Sequence, residues 1–116
     1  MSRVDDTLYL GHMLDVARWT RNRVAGLTRE QYDSDETLRL ALTRQIQIIG
    51  EAAWRVSPAG RAKLPDVPWN KIATMRHKLV HDYFDVNFGI IWETATTDMQ
   101  PLIDSLLKVI PPDPEP

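Results

Sequence analysis

The sequence predicts an all-α fold, an up-down bundle of four main helices with short helical turns between them. Apolar residues recur every three or four positions through four long segments. No stretch alternates apolar and polar residues with the period of two that strands require. The connections between the four segments are short, which favours packing of consecutive helices side by side.

The first helix is expected from about Val4 to Val24. Asp5 and Asp6 suit its positive end, and Leu10, Met13, Leu14, Ala17 and Val24 form its stripe. Gly26 ends it, and Thr28-x-x-Gln31 reads as a capping box for a short turn. The second long helix starts near Ser34 or Asp35. Leu38, Ala41, Leu42, Gln45, Ile49, Ala52, Ala53 and Val56 follow helical spacing to the end at Ser57-Pro58, which suits the start of a further short helix. The third helix opens near Pro68-Trp69, buries Ile72, Met75 and Leu79, and ends around Asp82 to Phe84. Asn87 caps the last helix, whose stripe runs through Phe88, Ile91, Trp92, Ala95, Met99, Leu102, Leu106 and Ile110. Pro101 falls inside that stripe and should kink or split the helix there. Trp19, Trp54, Trp69 and Trp92 read as packing residues, with a dimer face as the alternative for any left exposed.

A chain of 116 residues with 43% hydrophobic and 26% charged residues fits one helical domain, residues 1–110, followed by a disordered proline-rich tail, residues 111–116. The absence of cysteine excludes disulfides and thiolate chemistry. The polar start, Met1 to Asp6, is unlike a secretory signal, and no apolar run approaches the ~20 residues of a membrane span. A cytoplasmic protein is expected. The net charge of −2 argues against a protein that coats nucleic acid indiscriminately. Its distribution is uneven. Residues 1–60 balance, residues 61–81 carry five basic side chains against Asp66, and residues 82–116 carry Lys108 against seven acids.

That basic zone contains Arg76-His77-Lys78-Leu79-Val80-His81-Asp82-Tyr83. Arginine holds phosphate through a planar fork of donors, and histidine moves protons near neutral pH. Together they are what strand cleavage at a phosphodiester requires. On an ideal helix His77 and His81 share a face, and Arg76 and Tyr83 nearly superimpose, whereas Arg76 and His81 diverge by ~140°. One copy of the motif therefore brings Arg76 and His81 together only through a distorted helix end or the reach of the arginine, and a second chain that completes the site is the expected alternative. Glu51 is a candidate ion-pair partner for Arg76, and Lys78 a candidate contact for RNA phosphate. His77-x-x-x-His81 has the spacing of two metal ligands, but neither a cysteine nor a glutamate following the first histidine supports a metal site. No cofactor motif is present; phosphate-loop and nucleophile-elbow patterns are both missing.

The motif fits Arg-x4-His-x-Tyr. Ile48-Ile49-Gly50-Glu51-Ala52-Ala53, Pro68-Trp69-x-x-Ile72-Ala73-x-Met75-Arg76, Ile91-Trp92 and Pro101-Leu102 accompany it in order, across roughly residues 5–110. Together these blocks resemble HepT-type toxins of the HEPN superfamily. The resemblance implies an all-α homodimer with the two motifs at the interface, acting as a metal-independent endoribonuclease toxin without cofactor. By position, Arg76 would bind and polarise the scissile phosphate and His81 would act as general acid or base, with His77 and Glu51 in support. Tyr83 would be the residue to which a minimal nucleotidyltransferase antitoxin adds AMP. Two positions depart from the family pattern: His77 stands where asparagine is frequent and Asp82 where glycine is frequent, and Asp82 sets a negative charge beside the phosphate site. Two further readings remain open, a non-catalytic partner or modification acceptor of a nucleotidyltransferase, and a dimeric scaffold with no RNA role.

Overall fold

The computed structural model describes residues 3–111, with side chains from Asp6 onward. The proposed tail lies outside the described residues apart from Pro111, as does the side chain of Asp5. The described residues are helical with short connections and contain no strand. Helix α1 spans Arg3–Val24, α2 Arg29–Asp33, α3 Glu36–Arg55, α4 Pro58–Ala62, α5 Trp69–His81, α6 Phe88–Glu93 and α7 Met99–Leu106. A π-helical turn, Thr94–Asp98, joins α6 to α7.

The local signals act as the sequence suggests. Gly26 adopts φ +79°, a conformation that strains other residues, and turns the chain out of α1. Thr28 accepts from the Gln31 backbone N–H while Gln31 returns the bond to the Thr28 N–H, closing the capping box of α2. Asp35 caps α3 through Leu38, Ser57 caps α4 through Gly60, and Asn87 caps α6 through Ile90. The carboxylate of Asp6 accepts from both the backbone N–H and the hydroxyl of Ser57, tying α1 to the start of α4 and holding that carboxyl below its ordinary range.

Helix α3 packs on α1 along one side and on α5 along the other, while α1 also packs on α7. One hydrophobic cluster joins Met13, Leu14, Ile49, Ala53, Met99 and Leu106 from α1, α3 and α7; a second joins Tyr32, Leu42, Ile46, Leu79, Ile91 and Ala95. Two expectations need correction. The last helix is not split at Pro101; it runs without interruption from Phe88 to Leu106 and widens into the π turn just before the proline. A proline ring crowds the carbonyl four residues earlier, here Thr97, which lies within the π turn. The four tryptophans also differ. Trp69 is half-buried and donates its indole N–H to the Leu64 carbonyl at 3.0 Å, and Trp92 lies 4.9 Å from the buried ring of Tyr32. Trp19 and Trp54 are exposed.

Candidate active site

Helix α5 carries the motif and runs along α3. Pro68 precedes its first turn, and Ile72, Met75 and Leu79 turn inward. The two helices are in close contact at Gly50. A Cβ added there would lie 2.7 Å from the Cβ of Arg76, so only glycine lets α5 approach this near. That contact plants the root of Arg76 against α3.

The Arg76 side chain is half-buried and faces two residues of α3. Its Nε lies 3.4 Å from one Glu51 carboxylate oxygen, and its Nη2 lies 3.5 Å from the other. Its guanidinium carbon sits 4.8 Å from the ring centroid of Trp54. Glu51 is thus the ion-pair partner that the sequence indicated. Trp54 is a neighbour that sequence reasoning missed. A signal existed, because residues three apart on a helix share a face, so a Glu51 that reaches Arg76 brings Trp54 into range.

His77 and His81 stand together, with ring centroids 4.4 Å apart and both side chains exposed. Their shared face follows from their spacing. Lys78 is exposed and has no ion-pair partner among the described residues, whereas Lys71 pairs with Asp98 at 2.9 Å. Arg61 is also occupied: it donates to the carbonyls of Ala53 and Trp54 at the end of α3 and lies over the Trp69 ring. Of the basic side chains on α5, Lys78 is thus left without an ion-pair partner among the described residues, while Arg76 is only loosely paired with Glu51, at 3.4 and 3.5 Å.

Tyr83 does not sit where helical rotation puts it. Helix α5 ends at His81; Asp82 closes it by donating its N–H to the Lys78 carbonyl at 2.7 Å, and the chain leaves helical geometry. The superposition of Tyr83 on Arg76 fails for that reason, since it presumes two further helical residues. Tyr83 lies instead in the loop, 63% exposed, with its ring 4.3 Å from that of Phe84. Phe84 is 88% exposed, the most exposed large apolar residue among those described. Among the described residues no group of three or more His, Asp or Glu side chains is arranged to hold a metal ion.

The arrangement combines a half-buried guanidinium, two adjacent imidazoles and an exposed hydroxyl at one helix end. The family model for HepT-like ribonucleases matches residues 13–109, which takes in all of these groups. This chain belongs to the HepT-like ribonuclease family. The family is described as one of ribonucleases, and the all-helical fold agrees with its place in the HEPN superfamily. A candidate RNase of Caldanaerobacter subterraneus subsp. tengcongensis is 38% identical to this HepT-like chain over 102 residues, 88% of this chain and 91% of the relative. A candidate RNase of Methanocaldococcus jannaschii is 31% identical over 101 residues, 87% of this chain and 80% of the relative. A candidate ribonuclease HepT of Thermococcus cleftensis is 34% identical over 73 residues, covering 63% of this chain and 66% of the relative. No solved structure matches the HepT-like chain. None of its described helices is long and apolar enough to cross a membrane.

Proposed function

We propose that this chain is an endoribonuclease that cleaves RNA by internal attack of a ribose 2′-hydroxyl, with Arg76 and His81 as its catalytic residues. The observation that carries the proposal is the half-buried Arg76 guanidinium on the same short helix as the exposed His77/His81 pair, in a chain of the HepT-like ribonuclease family. The 2′-oxygen bonds to phosphorus as its proton leaves, the bond to the 5′-oxygen breaks, and that oxygen takes up a proton. Arg76 binds the non-bridging oxygens, where negative charge accumulates, and His81 carries one of the two protons. RNA supplies its own nucleophile, so the reaction as written runs without a bound metal ion.

In-line displacement places the entering and leaving oxygens on opposite sides of phosphorus. Two imidazoles only 4.4 Å apart on one helix face serve one side and not both. This supports a homodimer in which the second copy supplies the other proton carrier. Lys78, unpaired among the described residues, serves as a contact for RNA phosphate. The exposed phenol of Tyr83 supports its reading as the acceptor of AMP from a minimal nucleotidyltransferase antitoxin, which would make this protein a cytoplasmic toxin of a toxin–antitoxin pair.

Purified protein is expected to cleave RNA in the presence of a chelator, and Arg76→Ala or His81→Ala to remove that activity at least a hundredfold. Cleavage that survives in both variants, or that returns only with divalent metal, would overturn the mechanism. An inactive wild type whose mass still rises by AMP on Tyr83 after co-expression with a nucleotidyltransferase would instead favour a modification acceptor without catalysis.

A further inference from the structure

Arg76 is the group on which the proposed chemistry turns, and three residues of one helix hold it. Gly50 fixes where its side chain begins, because no Cβ fits between α3 and the Arg76 Cβ. Glu51 faces one edge of the guanidinium, but at 3.4 and 3.5 Å. Those separations exceed the ~2.7–2.9 Å of a firm charge-assisted bond. Nε is buried yet has no acceptor aligned with its hydrogen. The carboxylate therefore attracts the guanidinium without fixing its plane. Trp54 makes the third contact, with the guanidinium carbon 4.8 Å from its ring centroid, well inside the ~6 Å reach of a cation–π interaction. The indole is 59% exposed, so burial does not explain its place.

We propose that Trp54 is a positioning residue: its indole face fixes the guanidinium plane of Arg76 so that the edge carrying Nη1 stays available to the RNA phosphate. The proposal rests on the reading of Arg76 as the phosphate-holding group. A neutral ring suits this task better than a carboxylate. Glu51 offsets part of the positive potential that a phosphate meets. An aromatic face orients the cation through its quadrupole and leaves the charge whole. With one face covered by indole and the Nε edge turned to Glu51, the opposite edge keeps two parallel donors for a phosphate oxygen pair.

The test uses the full chain as wild type, Trp54→Leu, Trp54→Phe, Arg76→Ala and the double variant Trp54→Leu/Arg76→Ala. Leucine keeps apolar contact but removes the ring; phenylalanine keeps a ring. The first readout is the NMR resonance of the Arg76 Nε–H without RNA. It is expected to be shifted by the ring current of Trp54, to lose that shift in Trp54→Leu and to retain part of it in Trp54→Phe. The second readout is affinity for a short single-stranded RNA made uncleavable by a 2′-deoxy substitution at the scissile position. Trp54→Leu is expected to weaken binding about three- to tenfold, with most of it recovered in Trp54→Phe. Adding Trp54→Leu to Arg76→Ala is expected to change nothing further, because the ring acts through the arginine. Independent, additive losses would overturn the proposal and make Trp54 a separate contact for RNA or for a second copy. A wild type that binds no RNA would sink the ribonuclease reading instead. The Nε–H shift still judges the clamp in that case, and an unchanged shift in Trp54→Leu overturns it.

Discussion

Helices α3 and α5 lie against each other and are built on opposite plans. Among their described residues, α3 buries seven of twenty, from Leu38 to Ala53, and α5 buries one of thirteen, Leu79. The first is held by contacts on two sides and forms the frame. The second is laid on that frame with its basic and titratable residues left in reach of solvent. The difference teaches that the site is not stabilised by its own helix. Its geometry is borrowed from α3, through Gly50, Glu51 and Trp54.

That division can be tested by striking the frame, the joint and the edge in turn. Leu106→Ala removes a fully buried side chain from the cluster of α1, α3 and α7 and is expected to lower stability by about 2–5 kcal/mol. Urea unfolding measures the loss, while cleavage per folded molecule is expected to stay near wild type. Loss of activity from the folded fraction would show that frame and site are not separable. Gly50→Ala strikes the joint. The added methyl meets the root of Arg76 rather than a flexible tip, so α5 has to move. A stability loss of about 1–3 kcal/mol is expected from overpacking, with a fall in RNA cleavage larger than the unfolded fraction explains. Equal effects on both would place Gly50 in the frame alone.

The smallest effect concerns Tyr32, buried at the far edge in the cluster that holds Leu79. Its hydroxyl donates to the Phe88 carbonyl at 2.7 Å, and Tyr32→Phe is expected to cost about 1 kcal/mol. Burial pushes the phenol up to about 12 from its ordinary 10, outweighing the pull of Arg39 and Arg29. The folded state thus favours the neutral phenol more than the unfolded chain does. The resulting stability is complete below about pH 10 and disappears as pH rises through about 12. Alkaline unfolding followed by circular dichroism should show this dependence in the wild type and lose it in Tyr32→Phe.

The helices were legible because capping residues and apolar spacing act locally. Thr28/Gln31, Ser57 and Asn87 each form the cap that their position in the sequence indicates, and of the two candidate starts of α3, Ser34 and Asp35, it is Asp35 that caps the helix. The partnership of Glu51 with Arg76 was legible as a candidate, and the pairing of His77 with His81 followed from their spacing. What escaped the sequence depends on where a helix stops. Two residues of extra helix would have carried Tyr83 round to Arg76, but the chain turns at Asp82 and leaves Tyr83 beside Phe84. Trp54 escaped for a different reason. Large aromatic residues usually fill cores, and only the contact of α3 with α5 shows that this one lies under a cation.

The π turn at Thr94–Asp98 has a consequence for chain length. Ile91, Ala95 and Met99 are buried at steps of four residues, and each such step over-rotates an ordinary α-helix by ~40°. A turn that admits one more residue takes up that excess, so the side chains beyond it return to the core in phase. Deleting one residue from this segment would let it close as plain α-helix with Leu102, Ile103 and Leu106 still in phase with α6, whereas a second deletion would rotate them by ~100°, away from the bundle. Substitutions in the segment leave the count intact. What Thr94–Asp98 contributes to the fold is therefore one residue of slack, which the chain should be able to give up once but not twice.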